Sequence, residues 1–366
     1  MQLKKIKIFC FPSHASTERT SGVDFARVIQ PLKYLNGYKD DEVEIETHIW
    51  DVNTKEETNW LGVAETYDII YLNYINNPWG FAAMGAMARK HGVKLVLDLD
   101  DDLWDILPDN PAAEVFKKDG EEIKNFTAIC NEVDYMTCTN SYLKNVIVHN
   151  TMKRHEQIKV FPNYIDLKLY SHRSLFKDTH QIQITHFGST THFIDLSSEG
   201  FIDGMDKILK EYPNVSVKFV GALLPSLKEK WGARYVHDYG HTDIFHWVQD
   251  KNKFPKFMDE TDIVVAPLAE NVYNRCKSSI KFLEASSAKK PGVWEKIRPY
   301  AEIVDGTNGF LAHSSQEWYD KLKILIDDVV LRKKMGEEAF KTVKNDWQLK
   351  DHLKEYATFF KDILTK

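Results

Sequence analysis

Two lysines and a glutamate between residues 277 and 284 have the spacing of a helix that binds a diphosphate and a ribose. Lys277, Lys281 and Glu284 are separated by four and three residues, so a helix would present them on one face. Ser278 and Ser279 stand where a helix N-cap is expected. A helix N-terminus and two ammonium groups attract a diphosphate, and a carboxylate further along can accept hydrogen bonds from a ribose. An exposed amphipathic helix would show the same spacing, so the spacing alone leaves both interpretations open.

The surrounding segment, residues 271 to 293, follows an apolar strand and reads NVYNRCKSSIKFLEASSAKKPGV. It resembles the nucleotide-sugar signature of GT-B glycosyltransferases of the retaining, group 1 type. The resemblance implies that the helix N-terminus holds the donor diphosphate and that Glu284 binds the ribose. It also implies a small-residue and proline segment after the glutamate, which the run from Ala285 to Val293 matches.

The sequence departs from the usual family pattern at one sugar-binding position. Many members have a glutamate eight residues before the ribose-binding glutamate, and Cys276 stands there in this chain. With Asn274, Lys277, Lys281 and Glu284, the segment resembles a branch found among polysaccharide, O-antigen and phage-type transferases. The missing glutamate motivates an alternative function, which is a non-catalytic nucleotide-sugar-binding GT-B-like protein or an epimerase-like relative.

A second loop in the same half of the chain could complete the donor site. Gly188, Ser189 and Thr190 follow an apolar run, where their backbone N–H groups could approach phosphate oxygens. Many relatives have an arginine and a lysine after this glycine, whereas His192 and Asp195 stand nearby in this chain. The resemblance therefore implies a phosphate- or donor-binding role for His192, although a lone histidine is as often structural.

The expected donor site combines two strands that end in glycine with the lysine-bearing helix. We predict donor-binding roles for Gly188, Ser189, Thr190, Gly221, Arg275, Lys277, Ser278, Ser279, Lys281 and Glu284. The resemblance implies that the donor is a nucleotide-diphosphate sugar, with a UDP-sugar favoured. Lysines and the helix dipole would neutralise the diphosphate, so no metal cofactor is expected to be required.

Four aspartates follow a predicted strand in the first half of the chain. Asp98, Asp100, Asp101 and Asp102 lie in DLDDDLWD, and their hard oxygen atoms are ligands that a divalent metal would accept. A similar stretch occurs in the acceptor domain of the GT-B branch named above, which implies that Asp101 or Asp102 meets the acceptor or the reacting sugar. The alternative is that these carboxylates order the loop. The predicted catalytic residues are Asp101, Asp102, Lys277 and His192.

Polar residues near the N-terminus could also face the cleft. Ser13, Ser21, Gly22 and Arg27 follow the first predicted strand, and the resemblance implies a loop there that touches the donor or the acceptor. Arg27 would either reach an anionic group of the acceptor or lie on the surface of an ordinary helix.

Two further motifs have weaker functional signals. Asn163 and Asp166, in FPNYID, match a P-N-x-x-D element of the family, where we expect them to form a turn. Tyr239, Gly240 and His241 are candidates for the pocket around the nucleotide base.

Strand and helix signals alternate along both halves of the chain, which predicts parallel β-α-β units. After the donor helix, the next element is expected at 299–304. The resemblance implies an α/β chain with the GT-B fold, in which two Rossmann-like domains face each other across a cleft. We expect an N-terminal acceptor-side domain at 1–170 and a C-terminal nucleotide-sugar-binding domain at 171–346. A last helix at 347–366 is expected to cross back to the N-terminal domain.

The composition describes a globular chain without a general nucleic-acid signature. The chain has 366 residues, of which 43% are hydrophobic, and its formal net charge is −6. Four cysteines without metal or disulfide spacing favour a reducing compartment. No apolar run approaches about 18 residues, so we expect no integral membrane segment and a cytoplasmic protein, in the host cytoplasm if a virus encodes it.

The motifs that would indicate other enzyme classes are missing from the sequence. It contains no Gly-x-Gly-x-x-Gly or Walker motif, which argues against a nicotinamide dehydrogenase or an NTPase. The resemblance to group 1 GT-B enzymes implies a glycosyltransferase that moves a sugar from a nucleotide-diphosphate sugar, with retention expected. The acceptor stays open between a glycan, a lipid-linked glycan, a protein and a modified nucleic acid.

Overall fold

The computed structural model describes residues 3–13, 22–51, 58–74, 77–108, 110–170, 181–188, 193–196, 198–221, 224–238 and 257–365. Within these residues, the strands form two parallel six-stranded sheets. The strands of the first sheet are β1 (Lys4–Phe11), β2 (Val43–Ile49), β3 (Ile69–Asn73), β4 (Lys94–Leu99), β5 (Tyr135–Cys138) and β6 (Ile158–Val160). Their order is β2-β1-β3-β4-β5-β6. All of β3 and most of β4 are buried, as expected of strands that helices cover on both faces.

The second sheet has the strand order of a doubly wound nucleotide-binding domain. Its strands are β7 (Ile182–Gly188), β8 (Val215–Gly221), β9 (Tyr235–Asp238), β10 (Ile263–Ala266), β11 (Gly292–Glu295) and β12 (Phe310–Ala312). Their order is β12-β11-β10-β7-β8-β9, so the direction of winding changes between β7 and β10. Ligands of such sheets bind beyond the carboxyl ends of the strands at this switch point.

Helices connect the strands in both halves. Those of the first half are α1 (Gly22–Asp24), α2 (Gln30–Leu35), α3 (Trp60–Thr66), α4 (Pro78–His91), α5 (Glu121–Glu132), α6 (Ser141–Asn150) and α7 (Leu167–Tyr170), with a π-helical turn at Phe25–Ile29. Those of the second half are α8 (Phe193–Leu196), α9 (Glu199–Glu211), α10 (Pro225–Trp231), α11 (Val272–Arg275), α12 (Ile280–Ser287), α13 (Ser315–Asp327), α14 (Val329–Asp346) and α15 (Leu353–Ile363).

The last helix, α15, packs against the first sheet. Tyr356 stacks on Phe161 with 3.9 Å between the ring centroids, and Phe360 meets Tyr71 edge to face at 5.9 Å. All four residues are buried in one core with the apolar side chains of β1. The chain therefore returns to the first sheet after it has completed the second, while the domain boundaries at residues 170 and 346 stay predictions.

A glycine on α14 lets that helix approach the end of α12, which positions the helix that bears the two lysines. A Cβ atom at Gly336 would lie 2.0 Å from the carbonyl oxygen of Lys289, closer than any side chain tolerates. Lys289 itself has a positive φ of 58°, which ends the helical segment and turns the chain towards β11.

Two further observations concern the cysteines and the helices of the described residues. The four cysteines are free and buried. None of the helices in the described ranges has both the length and the apolar composition that spanning a bilayer requires.

Candidate functional site

The helix that was predicted to bind the donor is α12. It begins at Ile280, and Ser279 is its N-cap residue, although the serine side chain makes no capping hydrogen bond. The first amides of any helix have no intrahelical acceptor, and α12 begins in the connection after β10, next to the switch point of the second sheet. Glu284 lies one turn into the helix with 8% of its surface exposed, and Lys281 precedes it by three residues on the same face.

Lys277, in the loop before α12, faces an aspartate of the first sheet's loop. Its Nζ atom lies 3.5 Å from Oδ1 of Asp101 and 4.6 Å from the ring centroid of Tyr273. The hydroxyl of Tyr273 donates a hydrogen bond of 3.2 Å to Oδ2 of the same aspartate. Only 13% of the lysine side chain is exposed. The carboxyl ends of the two sheets therefore meet at this contact.

The two lysines have opposite pKa shifts. Burial by itself lowers the pKa of Lys277, but the carboxylates of Asp101 and Asp195 outweigh burial, so the pKa is raised and the ammonium is retained. Burial and the neighbouring charge of Lys277 lower the pKa of Lys281 to about 7, although Asp195 and Glu284 oppose this shift. Lys281 is therefore the lysine of this site whose charge changes near neutral pH.

The carboxylates of the aspartate run point to different partners. Asp98 is fully buried and accepts hydrogen bonds from Nε and Nη2 of Arg27. Asp102 is also fully buried, and its Oδ1 accepts hydrogen bonds from the amides of Trp104 at 2.9 Å and Asp105 at 3.2 Å. Burial raises the pKa of Asp102 to about 6. This geometry favours the loop-ordering interpretation for Asp102, whereas Asp98 lies within β4 and is paired with Arg27.

Asp100 and Asp101 lie closer to the cleft. The hydroxyl of Tyr74 donates to Asp100 and accepts a hydrogen bond of 3.1 Å from the amide of Asp101. Burial, followed by the negative charge of Asp101, raises the pKa of Asp100 to about 7. Of the two aspartates that were predicted to be catalytic, Asp101 is thus the one that reaches Lys277, and Asp102 is not.

Because the aspartates diverge, they do not form one metal-ligand set. Among the described residues, no three histidine, cysteine, aspartate or glutamate side chains converge in the manner of a metal site.

Arg27 lies neither on the surface of its helix nor free in the cleft, so neither interpretation of this residue is supported. It is 3% exposed, and its Nε and Nη2 atoms donate to the two carboxylate oxygens of Asp98 at 3.0 and 2.7 Å. Its Nη1 atom donates to the carbonyl of Phe161 at 2.5 Å and to Oδ1 of Asn163 at 2.9 Å. Each nitrogen of the guanidinium therefore donates a hydrogen bond to a group within the protein.

Two asparagines connect the first half of the chain to the donor loop. Nδ2 of Asn163 donates a 2.8 Å hydrogen bond to Oγ of Ser278. Nδ2 of Asn140 donates to the carbonyl oxygens of Cys276 at 2.7 Å and Lys277 at 3.0 Å, while its Oδ1 caps α6. Asn163 was expected only to form a turn, and the structure makes it a buried bridge instead.

Two other predicted residues have neighbours outside the Lys277 cluster. The Nε atom of Arg275 donates to Oε1 of Glu270 at 2.5 Å, and its guanidinium lies 5.9 Å from the ring centroid of Tyr142. Ser13 donates to Oδ1 of Asp24 from both its amide and its hydroxyl, at 3.1 and 3.0 Å. Arg275 and Ser13 are therefore not brought together with the lysines in this structure.

The remaining predictions concern strand ends and residues that the structure does not describe. Gly188 ends β7 beside Gly221 at the end of β8, and Gly221 has a positive φ of 99°. Both glycines thus lie at the carboxyl edge where a ligand of this sheet would bind. Several predicted residues lie outside the described ranges: Ser21, Ser189, Thr190, His192, Tyr239, Gly240 and His241.

The sequence analysis did not identify Tyr273 as part of this site, nor its contact with Asn110. Nδ2 of Asn110 donates to the Tyr273 hydroxyl at 2.9 Å, so the phenol both accepts this hydrogen bond and donates to Asp101. The Asn110-Pro111 dipeptide was visible in the sequence, but its contact partner is 163 residues away, and no local pattern indicates such a pair.

Comparison with known proteins identifies the class of enzyme. Residues 183–328 match the family model described as glycosyl transferases group 1. The second half of this chain therefore carries a group 1 glycosyltransferase domain, and the predicted enzyme class is confirmed. No curated protein sequence matches the chain.

Solved structures confirm the predicted GT-B fold. HepE from Anabaena in complex with UDP-glucose is 16% identical, with a TM-score of 0.65 over 97% of this chain and 100% of that chain. A glycosyltransferase from Rickettsia africae is 13% identical, with a TM-score of 0.63 over 100% and 99% of the two chains. Sucrose-phosphate synthase from Thermosynechococcus elongatus is 11% identical, with a TM-score of 0.62 over 99% of each chain.

Proposed function

We propose that this glycosyltransferase uses a UDP-sugar and holds its diphosphate between Lys277, Lys281 and the N-terminus of α12. The observation that carries the proposal is the placement of both lysines and Glu284 at the switch point of the second sheet. The choice of uridine is supported by the similar fold of HepE, whose structure contains UDP-glucose. Glu284 would bind the ribose, and Gly188 would let the backbone approach the phosphates.

The chemistry would consist of positioning the reactants and neutralising the leaving group. As the bond between the sugar and the diphosphate breaks, negative charge grows on the departing phosphate oxygen. Fixed ammonium groups and helix amides stabilise that charge more than they stabilise the intact donor, which is what lowers a barrier. In this scheme the lysines replace a required metal ion.

The acceptor would approach from the first half of the chain, beside Asp101. This carboxylate is the counter-ion of Lys277 in the structure, so a diphosphate would compete with it for the ammonium group. Once released, Asp101 would be free to meet the acceptor hydroxyl or the reacting sugar. Retention of the anomeric configuration follows the group 1 resemblance, and NMR of the product anomer tests it.

The first test is calorimetric titration with UDP, GDP, ADP and CMP, each with Mn²⁺ and with a chelator. We expect UDP to bind most tightly and to keep its affinity in chelator. The Glu284→Gln variant should bind UDP about tenfold more weakly, because it loses a charged partner of the ribose hydroxyls. The same variant should bind 2′,3′-dideoxy-UDP as the wild type does, since that nucleotide lacks the hydroxyls.

These titrations also separate the competing functions. If a nucleotide bound only in the absence of chelator, we would conclude that a metal ion binds the diphosphate. A nucleotide-sugar-binding protein without transferase activity would bind UDP equally well but release none from a UDP-sugar when acceptors are supplied. If none of the four nucleotides bound, the donor role of α12 would be wrong.

The affinity for UDP should fall as the pH rises from 7 to 9. The pKa of Lys281 is about 7 in the protein, so the side chain is largely neutral at pH 8 and must take up a proton to pair with a diphosphate. The expected loss is about tenfold for each pH unit above 7, with no contribution from Lys281 well below that value.

Calorimetry in buffers of different ionisation enthalpy should detect the proton uptake directly. The Lys281→Arg variant is the matched control, because arginine stays charged throughout this range and should remove the part of the slope that comes from Lys281. Asp100 also titrates near pH 7, and its contribution would persist in the variant. A slope that is unchanged in Lys281→Arg would therefore contradict the role of Lys281.

A further inference from the structure

A basic groove lies beside the donor loop, at the junction of the two halves of the chain. It has a volume of about 440 Å³. Three of its lining residues are cationic, namely Arg275, Lys296 and Arg298, and one, Glu270, is anionic. All three of these residues are exposed. This local excess of positive charge contrasts with the net charge of −6 for the whole chain.

The two arginines of the groove are held in place by contacts with neighbouring side chains. Arg298 donates from Nη2 to the hydroxyl of Ser141, at the start of α6. Arg275 lies over the ring of Tyr142 and donates to Glu270. Guanidinium groups that are ordered in advance lose less conformational entropy when they bind a ligand, and their planar donors match the oxygens of a phosphate.

The groove is distinct from the donor cluster although the two are adjacent in the chain. Arg275 precedes Lys277 by two residues, yet Arg275 contacts Tyr142 and Glu270 whereas Lys277 contacts Asp101 and Tyr273. The other two cations follow β11, at the carboxyl edge of the second sheet. A ligand in the groove would thus lie between α6 of the first half and the loop after β11.

We propose that this groove binds a phosphate group of the acceptor substrate. Two arginines, a lysine and a tyrosine ring offer charge-assisted hydrogen bonds and a flat surface, which suit a phosphate attached to a polyol or a sugar. The groove reaches the first half of the chain through Ser141 and Tyr142, the half from which the acceptor would approach. The assignment to the acceptor rests on the proposed function, whereas phosphate binding by itself does not.

The test is calorimetric titration of the protein with glycerol 3-phosphate in the presence of saturating UDP. Saturable binding is expected, and it should weaken as salt is added. Arg298→Ala and Lys296→Ala should each reduce the affinity about tenfold or more without changing the affinity for UDP. Arg154→Ala is the matched control, because Arg154 is an exposed arginine paired with Glu156 elsewhere on the surface, and it should change neither affinity.

A second arm separates a free phosphate from one carried by a lipid. Vesicles containing phosphatidic acid should sediment the wild type, and not Arg298→Ala, if the acceptor phosphate is lipid-borne. Binding of either probe that depends on Arg298 supports the groove. If neither probe bound, or if Arg298→Ala bound both as the wild type does, the inference would be overturned. Because the UDP affinity of each protein is measured in a separate titration, failure of the donor site would be detected independently of the groove.

Discussion

The Lys277→Met variant should lose about 100- to 1,000-fold in kcat/KM for the nucleotide sugar, with most of the loss in kcat. Methionine keeps the length of the side chain but removes the ammonium group that would stabilise the departing diphosphate. Removing one such preorganised donor from an active site has an effect of this size in other enzymes. The loss falls on kcat because charge on the leaving group develops mainly in the transition state.

Two companion variants show whether the loss comes from the charge or from its position. Lys350→Met removes an exposed lysine far along the chain and should leave the kinetics unchanged. Asp101→Asn removes the counter-ion that lies 3.5 Å from the lysine. It should tighten UDP binding, because the diphosphate no longer competes with a carboxylate. If Lys277→Met kept the wild-type kcat, the leaving-group role of Lys277 would be untenable.

The regular elements of this fold were predictable because their signals are local. The sequences of the strands Ile182–Gly188, Val215–Gly221 and Ile263–Ala266 indicate a strand by themselves. Each is a short apolar run between turn or helix signals, which is the pattern of a buried parallel strand. The residues on one face of α12 followed from helix periodicity in the same way.

The element after the donor helix was misplaced for a physical reason. It was expected at 299–304, whereas β11 is Gly292–Glu295, and Arg298–Tyr300 forms a 3-10 turn. The apolar side chains of β11 directly follow a lysine pair and a proline, so the run looks like a helix end and a turn. What makes it a strand is its pairing with β10, and that pairing is a long-range contact.

The least predictable parts of the site were its long-range polar contacts. Asn163 reaches Ser278 across 115 positions of sequence, and Arg27 reaches Asp98 across 71. Sequence patterns report which face of an element is apolar, but they carry no information about which polar residues meet after folding. Arg27 was therefore assigned to the surface or the cleft, because a single charged residue on a helix usually lies in one of those places.

Breaking the buried ion pair between Arg27 and Asp98 should be the most damaging change to stability. Both side chains are almost fully buried, with 2% and 0% exposed, and the pair is bidentate. Burial by itself would lower the pKa of Arg27, but Asp98 outweighs it and raises the pKa, so the guanidinium is charged inside the core. Removing one partner leaves the other charge buried and unpaired, which costs about 3–5 kcal/mol.

We therefore expect Arg27→Met to lower the free energy of unfolding by about 3–5 kcal/mol in urea denaturation. The matched control is Arg89→Met, because Arg89 makes an ion pair of similar length with Glu132 on the surface, at 3.1 Å, with more than half of each side chain exposed. Such an exposed pair contributes between about 0 and 1 kcal/mol. Equal effects of the two substitutions would show that burial does not increase the contribution of the Arg27–Asp98 pair to the free energy of unfolding.

The same ion pair should also influence the donor loop. A substitution at Asn163 distinguishes this effect from an effect on stability. Arg27 holds Oδ1 of Asn163, and Nδ2 of that asparagine holds Ser278 next to Lys277. Asn163→Asp keeps the acceptor for Arg27 but replaces the amide that donates to Ser278 with a negatively charged acceptor. This variant should stay folded and bind UDP several-fold more weakly, because its carboxylate adds negative charge beside the diphosphate site. If Asn163→Asp bound UDP as tightly as the wild type, the bridge would hold the fold together without positioning the donor loop.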